Sequence, residues 1–339
     1  MKTQLLTPKD TSRAARILRS GGLVGIPTET VYGLGANGLD PLAVRSIFLA
    51  KGRPQDNPLI LHIPDPSWLE LYCRDIPEAA WRLARRFWPG PLTMVLRRDP
   101  AVPDEVTAGL DTVGMRCPAH ELCRAVIEAA GVPVAAPSGN TSGRPSPTSV
   151  ADMLEDMNGK IDAILDGGSC QVGVESTIID MTAATPRLLR PGGVPLEELR
   201  AVLGEVELDP AILRPMEEGE KPLAPGMKYR HYAPKAPVIV VKGSPARSAA
   251  YILEHLSPTY WDGVICFDEF ADWYPSHPVE RLGGALDHWE NARRLFHALR
   301  AMDEAGVKRI WAQSPDTAGM GLAVVNRLDK AAGFHIVEV

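Results

Sequence analysis

The sequence predicts an α/β protein in which a larger domain with a mixed β-sheet is followed by a smaller α/β domain. Short apolar runs alternate with amphipathic segments along residues 1–204 and again along residues 236–339. Between them, residues 205–235 are rich in proline, glycine and charge, which is typical of a linker. A chain of 339 residues is long for a single core and suits two domains.

In the first domain, apolar residues recur at helical spacing in several segments. Ala14, Ala15 and Leu18 lie on one face of the first helix, and two glycines end it. Helices are predicted over residues 7–22, 41–50, 67–73, 77–88, 121–130 and 150–157. Strands are predicted over residues 23–27, 59–62, 92–96, 112–117, 132–136, 161–165, 176–180 and 187–189. Because the last three strands are short, we expect a mixed sheet rather than a purely parallel one.

The second domain shows a regular alternation of strands and helices. Strands are predicted over residues 238–241, 263–267, 309–312 and 335–339, and helices over residues 247–255, 286–305 and 321–331. This alternation indicates a small α/β domain.

Composition excludes several classes of protein. With 45% hydrophobic and 23% charged residues, the chain has the composition of a globular protein, and its net charge of −6 argues against a surface devoted to nucleic acid. Five cysteines without C-x-x-C spacing indicate neither a zinc site nor a disulfide framework, so we expect reduced thiols and a cytoplasmic location. The sequence has no apolar signal region and no run long enough to span a bilayer, so no membrane partner is expected.

The stretch KGRPQDNPLILH, residues 51–62, is the strongest candidate for ligand binding. Lys51 offers a mobile positive charge and Arg53 a planar fork of donors, and we expect both on a loop stiffened by proline after the helix over residues 41–50. Such a loop suits an anion. The alternative is a solvated basic turn, which is common for an isolated pair of cations.

Polar turns follow two of the predicted strands, at residues 28–35 and 137–144, which is usual for ligand-binding loops. The cations and the hydroxyl and amide side chains in loops or at strand ends together suit a polyanion and a polar companion: Lys51, Arg53, Arg116, Arg144, Arg190, Thr30, Ser138, Asn140, Thr148 and Ser176. No standard phosphate loop is present. Ser138 as a nucleophile with His62 as its base is disfavoured because G-x-S-x-G is absent. His62 has an open structural alternative.

Seven motifs, in the same order, resemble those of the threonylcarbamoyl-AMP synthases in their long form with a C-terminal domain. They are PTETVYGLG, KGRPQDNPLILH, WPGPLT, GMRCP, APSGNTSGRPSPTS, ESTIID and LRPG. The resemblance covers essentially the whole chain and is weaker after residue 204. It implies a YrdC-like catalytic domain with a twisted mixed β-sheet and helices over residues 1–204, a linker or lid over residues 205–235, and a small Rossmann-like α/β domain over residues 236–339.

The resemblance implies a nucleotidyltransferase that condenses L-threonine, bicarbonate or carbon dioxide, and ATP into L-threonylcarbamoyladenylate, with release of pyrophosphate. The product serves the N6-threonylcarbamoyladenosine modification of tRNA next to the anticodon. The implied recipient is therefore a tRNA threonylcarbamoyl transferase, and weak tRNA binding is compatible with this role. Mg²⁺ is expected to arrive with ATP, with no protein metal cage and no organic cofactor.

Carried over position by position, the resemblance also implies two groups of site residues. L-threonine is expected at Thr30, His62, Arg116, Ser138 and Ser176, with Arg116 on its carboxylate. ATP is expected at Lys51, Arg53, Asn57, Thr112, Asn140, Thr148, Arg190 and Tyr232, and the catalytic cations are Lys51 and Arg53. Because the product anhydride hydrolyses readily, a linker with cations and aromatics is expected to close over the site: Lys228, Tyr229, Arg230, His231 and Tyr232.

Two alternatives belong to other classes. The first is a double-stranded RNA or tRNA-binding module without catalysis, which would use a concave basic surface but would not need a niche of carboxylate size. The second is a carbamoyl-transfer domain that acts on carbamoyl phosphate, as related domains do inside larger hydrogenase-maturation proteins. Those proteins carry acylphosphatase and zinc-finger segments that this sequence lacks.

Overall fold

The computed structural model describes residues 2–214, 222–225, 232–257 and 261–339. The chain forms two compact units. The first unit comprises Met1–Ser142, Pro147–Gln171 and Glu175–Lys228, and the second comprises Gly143–Ser146, Val172–Val174 and Tyr229–Val339. Two short segments within the first 204 residues therefore belong to the second unit.

The first unit is built on a twisted mixed sheet that has 12 strands among the described residues. The strands are β1 (Gln4–Leu6), β2 (Val24–Ile26), β3 (Gly33–Asn37), β4 (Ile60–His62), β5 (Cys73–Arg74), β6 (Leu92–Arg98), β7 (Thr112–Arg116), β8 (Val134–Ala135), β9 (Ala163–Leu165), β10 (Thr177–Asp180), β11 (Arg187–Arg190) and β12 (Glu207–Leu208). Their order is β1-β9-β2-β3-β8-β4-β7-β6-β10-β11-β12, and β5 pairs with β6. Both parallel and antiparallel pairs occur, so the predicted mixed sheet is confirmed.

The helices of the first unit pack on this sheet through their apolar faces. They are α1 (Thr11–Arg19), α2 (Pro41–Lys51), α3 (Leu69–Tyr72), α4 (Glu78–Phe87), α5 (Asp104–Thr107), α6 (Glu121–Ala130), α7 (Val150–Met157) and α8 (Leu196–Leu203). One core cluster joins Ala14 and Leu18 of α1 to Val126 and Ile127 of α6, over Ile26 of β2. Burying such a side chain typically contributes about 1.5–3 kcal/mol, so this layer fixes the central strands.

Strand register brings the predicted site residues together at the middle of the sheet. In the parallel pair β4–β7, His62 lies beside Arg116. In the antiparallel pair β6–β7, Met94 lies opposite Met115, so Thr93 is next to the position of Arg116. The parallel pair β6–β10 then aligns Thr177 with Leu92, which brings the N-terminal end of β10 to the same edge.

The second unit has a parallel sheet with five strands among the residues described. They are β13 (Val238–Lys242), β14 (Asp262–Cys266), β15 (Val279–Arg281), β16 (Arg309–Gln313) and β17 (Ile336–Glu338), in the order β15-β14-β16-β13-β17. The connecting helices are α9 (Pro245–His255), α10 (His288–Glu304) and α11 (Gly321–Ala331). A fully parallel sheet with helical crossovers is the Rossmann-like arrangement expected from the sequence.

The segment interpreted as a linker contains ordered elements where it is described. Strand β12 pairs with β11, and Ala211 and Ala224 pack in a cluster with Ile60, Val95 and Ile178. Of residues 228–232, which we expect to close over the site, residues 228–231 lie outside the described residues. No helix within the described ranges is long and apolar enough to cross a membrane.

Candidate active site

The turn between β2 and β3 is locked by its own hydroxyl groups. Thr28 Oγ1 donates to the carbonyl of Val31 at 2.7 Å, and the Thr28 and Thr30 hydroxyl oxygens lie 2.8 Å apart. Because the Thr28 proton is used on Val31, the Thr30 hydroxyl donates to Thr28, and Thr30 Oγ1 retains its acceptor lone pairs. Thr30 is fully buried, so this acceptor is available only to a group inside the site.

A second loop, residues 137–141, is tied to this turn through the backbone. The amide of Leu34 donates to the carbonyl of Pro137, and the amide of Gly139 donates to the carbonyl of Tyr32, both at 2.8 Å. Ser138 Oγ donates to Asn140 Oδ1 at 2.6 Å. These bonds place Ser138 and Asn140 beside the Thr28–Thr30 turn.

Lys51 reaches this second loop from the end of α2. Its Nζ donates to the carbonyl of Ser138 and, at 2.6 Å, to the carbonyl of Asn140. The prediction that Lys51 lies on a loop is wrong, because it is the last residue of α2 and only 2% exposed. Gly52 ends the helix in the left-handed conformation, with φ of 62°.

The environment of Lys51 favours an anion. Burial, and then the neighbouring charge of Arg53, hold the pKa of the Lys51 ammonium well below its usual range. A negatively charged ligand next to this ammonium would counter both effects, since it would stabilise the protonated form. Lys51 and Arg53 together are therefore suited to an anionic ligand, which would stabilise the protonated form of Lys51.

Arg116, Glu29 and His62 form a buried cluster at the end of β7. Arg116 Nη2 donates to Glu29 Oε1 at 2.7 Å, in an ion pair whose side chains are 5% and 8% exposed. Three buried polar atoms of the cluster have no hydrogen-bond partner among the described residues: Arg116 Nε, Glu29 Oε2 and His62 Nδ1. Buried polar groups are nearly always paired, so three such atoms in one cluster indicate a binding site for a polar ligand.

Burial, and then the charge of Arg116, lower the pKa of His62 to about 3. The imidazole is therefore neutral near pH 7, with one nitrogen as donor and the other as acceptor. Unfolding restores an ordinary pKa near 6.5, so the unfolded chain binds the proton first as the pH falls. The stability that His62 contributes is fully present above pH 6.5 and is lost between pH 6.5 and pH 3.

Replacing His62 by glutamine is expected to remove this pH-dependent contribution to the free energy of unfolding. In the wild-type protein, His62 alone should lower the free energy of unfolding by about 1.4 kcal/mol per pH unit below pH 6.5. Urea unfolding at several pH values between 4 and 8 measures the slope. A His62→Gln curve parallel to that of the wild type would contradict the depressed pKa. The control variant is His335→Gln, which replaces a histidine of the second unit by the same residue.

Ser176 immediately precedes β10, at the end of the sheet where Arg116 lies. Its hydroxyl oxygen is 2.8 Å from that of Thr93, the residue of β6 next to Arg116. Arg190 donates through Nε and Nη2 to the Ser176 carbonyl at 3.2 and 3.0 Å, and through Nη1 to the carbonyl of Pro225 at 3.2 Å. Thr93 and Glu29 had no assigned role in the sequence analysis, although both lie inside conspicuous motifs.

The residues expected to bind ATP do not all lie in one place. Arg53 is half-buried, with its guanidinium 5.8 Å from the ring centroid of Phe48. Asn57 is fully buried, and with its amide oxygen turned toward Arg53 it accepts from Arg53 Nη2 at 3.1 Å. Thr112 is at the opposite end of β7 from Arg116, about 13 Å along the strand. The structure therefore groups Arg53 with Asn57, and it places Thr112 away from the Arg116 cluster.

Thr148 and Tyr232, which are also expected to bind ATP, contact different groups. Thr148 precedes α7, and its amide donates to the Asp152 carboxylate at 2.8 Å. Tyr232 belongs to the second unit, where its ring is 5.2 Å from that of Phe296 and 5.5 Å from the Arg327 guanidinium. Tyr232 also has φ of 64°, which is unusual for a residue with a large side chain.

Cysteine and metal chemistry are not suggested by these surroundings. All five cysteines are free and buried, and burial raises the pKa of the thiols, to about 12 for Cys117 and Cys123. Such thiols are poor nucleophiles at neutral pH. Within the described part of the chain, no group of three or more His, Cys, Asp or Glu side chains could hold a metal ion.

The first unit combines a mixed β-sheet and helices with buried cations, hydroxyls and a carboxylate, a set of groups that suits small anionic or zwitterionic ligands. A family model described as "Telomere recombination" matches residues 16–192, and another described as "Threonylcarbamoyl-AMP synthase, C-terminal domain" matches residues 194–333.

Similarity to individual proteins extends over almost the full length. The threonylcarbamoyl-AMP synthase of Pyrococcus abyssi is 51% identical over 96% of this chain and 95% of its own length, and that of Bacillus subtilis is 46% identical over 96% and 94%. A crystal structure of P. abyssi Sua5 complexed with L-threonine superposes with a TM-score of 0.94 at 48% identity and covers 100% of both chains. The chain belongs to the threonylcarbamoyl-AMP synthase family, and it is a nucleotidyltransferase-type enzyme.

Proposed function

We propose that the first unit condenses L-threonine, bicarbonate or carbon dioxide, and ATP into L-threonylcarbamoyladenylate and pyrophosphate, and that the residues described above form its active site. The observation that carries this proposal is the pair of neighbouring binding environments. One is the cluster of Arg116, Glu29 and His62, with its unpartnered polar atoms, and the other is the electropositive site at Lys51 and Arg53.

The first environment suits threonine. Arg116 Nε is a free donor that fits the substrate carboxylate, and a guanidinium can bind a carboxylate through two parallel hydrogen bonds. Neutral His62 and the acceptor oxygen of Thr30 suit the substrate hydroxyl, which both donates and accepts. Ser138, beside the turn that contains Thr30, and Ser176, beside Thr93, complete the set assigned to threonine.

The second environment suits the triphosphate of ATP. Lys51 and Arg53 supply two cations at the end of α2, and Asn57, Asn140, Thr148 and Arg190 lie on loops or strand ends of the same unit. We assign Thr112 to the part of the nucleotide farther from threonine. Tyr232, the last residue of the expected lid, stays a prediction for ATP binding. ATP enters as its magnesium complex, because phosphate oxygens are the hard ligands that Mg²⁺ prefers.

The reaction then depends on positioning and on charge. The neutral threonine amine attacks carbon dioxide: an N–C bond forms as one C–O π bond breaks, and the nitrogen releases a proton to solvent to leave a carbamate. An oxygen of this carbamate then attacks the α-phosphorus of ATP. A new P–O bond forms as the bond to pyrophosphate breaks, and pyrophosphate leaves with its electron pair. Lys51 and Arg53 stabilise the charge on the phosphates in the transition state, and one well-placed donor is typically worth about 3 kcal/mol, or roughly a hundredfold in rate.

The mixed anhydride is an unstable product, so it must be consumed soon after release. We propose that a tRNA threonylcarbamoyl transferase receives it, for the modification of adenosine next to the tRNA anticodon. The buried positions of Lys51 and Arg116 disfavour an RNA-binding module as the main function, because a duplex of RNA cannot reach cations that are 2% and 4% exposed.

Isotope exchange between pyrophosphate and ATP tests the proposed reaction. With labelled pyrophosphate, the purified full chain should form labelled ATP only when L-threonine and bicarbonate are both present. Mass spectrometry of the quenched forward reaction should show the threonylcarbamoyl adenylate. Exchange that does not depend on threonine, or its complete absence with a folded protein, would contradict the proposal.

A further inference from the structure

Glu29 is a buried carboxylate that the assignment above does not use. It is 6% exposed and lies in the turn between β2 and β3. Its Oε1 accepts the hydrogen bond from Arg116, whereas Oε2 is buried and has no partner in the described ranges of the chain. An ionised carboxylate in such a place normally accepts several hydrogen bonds, so Oε2 is an acceptor without a donor.

The unpartnered atoms of the cluster match the polar groups of one kind of ligand. Arg116 Nε is a donor and fits a carboxylate, Glu29 Oε2 is an acceptor and fits an ammonium, and His62 Nδ1 fits a hydroxyl. A β-hydroxy-α-amino acid carries these three groups on adjacent carbons. The Arg116–Glu29 pair is neutral overall, as is the zwitterion, so binding requires no uncompensated buried charge.

We propose that Glu29 recognises the α-ammonium group of the substrate, with Oε2 accepting its hydrogen bond while Oε1 holds Arg116 in place for the carboxylate. This inference rests on the proposed function, because it takes Arg116 as the residue that binds threonine. Glu29 thereby selects an α-amino acid over an α-hydroxy acid of the same shape. It also fixes the position of the nitrogen atom, on which the carbamate forms once the ammonium has lost a proton.

An alternative role for Glu29 is that of a counter-ion to Arg116 alone. In that case, loss of its charge would disturb carboxylate binding, and it would do so equally for ligands with and without an ammonium group. The two roles therefore predict different coupling free energies between the Glu29 carboxylate and the nitrogen of the ligand. A thermodynamic cycle of two protein forms and two ligands measures this coupling directly.

The test is calorimetric titration of the full chain with L-threonine and with (2S,3R)-2,3-dihydroxybutanoate, which has a hydroxyl in place of the ammonium. The wild-type protein should bind threonine at least about tenfold more tightly, since the analogue offers Glu29 a neutral hydroxyl donor in place of a positively charged ammonium. In Glu29→Gln the ratio should fall to within about threefold of unity. Glu105→Gln, which alters a carboxylate paired with Arg45 on the surface, should leave the ratio unchanged.

The outcomes separate this inference from the proposed function. Arg116→Lys should weaken both ligands to a similar extent, because both carry the carboxylate. If Arg116→Lys has this effect and Glu29→Gln leaves the ratio at its wild-type value, the role of Glu29 is refuted and the threonine site stands. If Arg116→Lys affects neither ligand, the assignment of the threonine site fails. Equal binding of both ligands by the wild-type protein also refutes the inference, without need of any variant.

Discussion

Replacing Lys51 by methionine is expected to reduce threonine-dependent exchange between pyrophosphate and ATP at least about a hundredfold. Methionine retains the apolar length of the buried side chain, so the change removes the ammonium alone, with its bonds to the carbonyls of Ser138 and Asn140 and its expected contact with phosphate. Arg53→Ala is expected to have an effect of similar size, because its guanidinium supplies the second cation of the same site. The exchange assay is run at saturating ATP and threonine for each purified variant.

A matched control for these two variants lies on the same helix. Arg45 of α2 is paired with Glu105 on the surface and its side chain is 52% exposed. Arg45→Ala removes a cation from α2 without touching the proposed site, so exchange should remain within about twofold of the wild type. Circular dichroism checks that each variant is folded. Normal exchange in a folded Lys51→Met or Arg53→Ala protein would remove that cation from the mechanism.

The second large effect is expected at Arg116. Arg116→Lys should raise the KM for threonine at least about tenfold and leave the KM for ATP within about twofold, because a lysine replaces two parallel hydrogen bonds to the carboxylate with a single one. Steady-state kinetics of pyrophosphate release, with each substrate varied in turn, gives both values.

Arg97→Lys is the control for this substitution, since Arg97 lies on β6 beside β7 but pairs with Asp111 on the surface. It should leave both KM values unchanged. An equal rise in the two KM values for Arg116→Lys would mean that Arg116 contributes to ATP binding, or to the stability of the fold, as much as to threonine binding.

Much of the fold follows from local sequence patterns. Helices α6, α7 and α11 begin and end where periodicity and flanking residues predicted, because glycine or a capping box marks their ends. Strand β3 was predicted as part of a turn, since Gly33 and Gly35 disfavour a strand. In the structure they are held by pairing with β2 and β8, which no local pattern reveals.

Very short elements were missed for the same reason. Strand β1 has three residues and is defined by parallel pairing with β9, more than 150 positions later in the chain. Strand β12 has two residues inside a segment interpreted as a linker. Elements of two or three residues carry too few side chains to show a period, so their existence depends on tertiary partners.

The candidate site was predicted in part. Family motifs indicated Thr30, His62, Arg116 and Ser138, and the structure brings their strands and loops together. Glu29 was seen only as a carboxylate in a polar turn, because its importance comes from an ion pair with a residue 87 positions away. The buried state of Lys51 was also missed, since its burial depends on the carbonyls of the loop that contains Ser138 and Asn140.

The most direct test of the account is a crystal structure of the full chain with L-threonine and a non-hydrolysable ATP analogue. The account predicts the threonine carboxylate on Arg116, its ammonium on Glu29 Oε2, its hydroxyl at His62, and phosphate oxygens within hydrogen-bond distance of Lys51 and Arg53. Threonine bound with its carboxylate away from Arg116, or a triphosphate that contacts neither Lys51 nor Arg53, would contradict it.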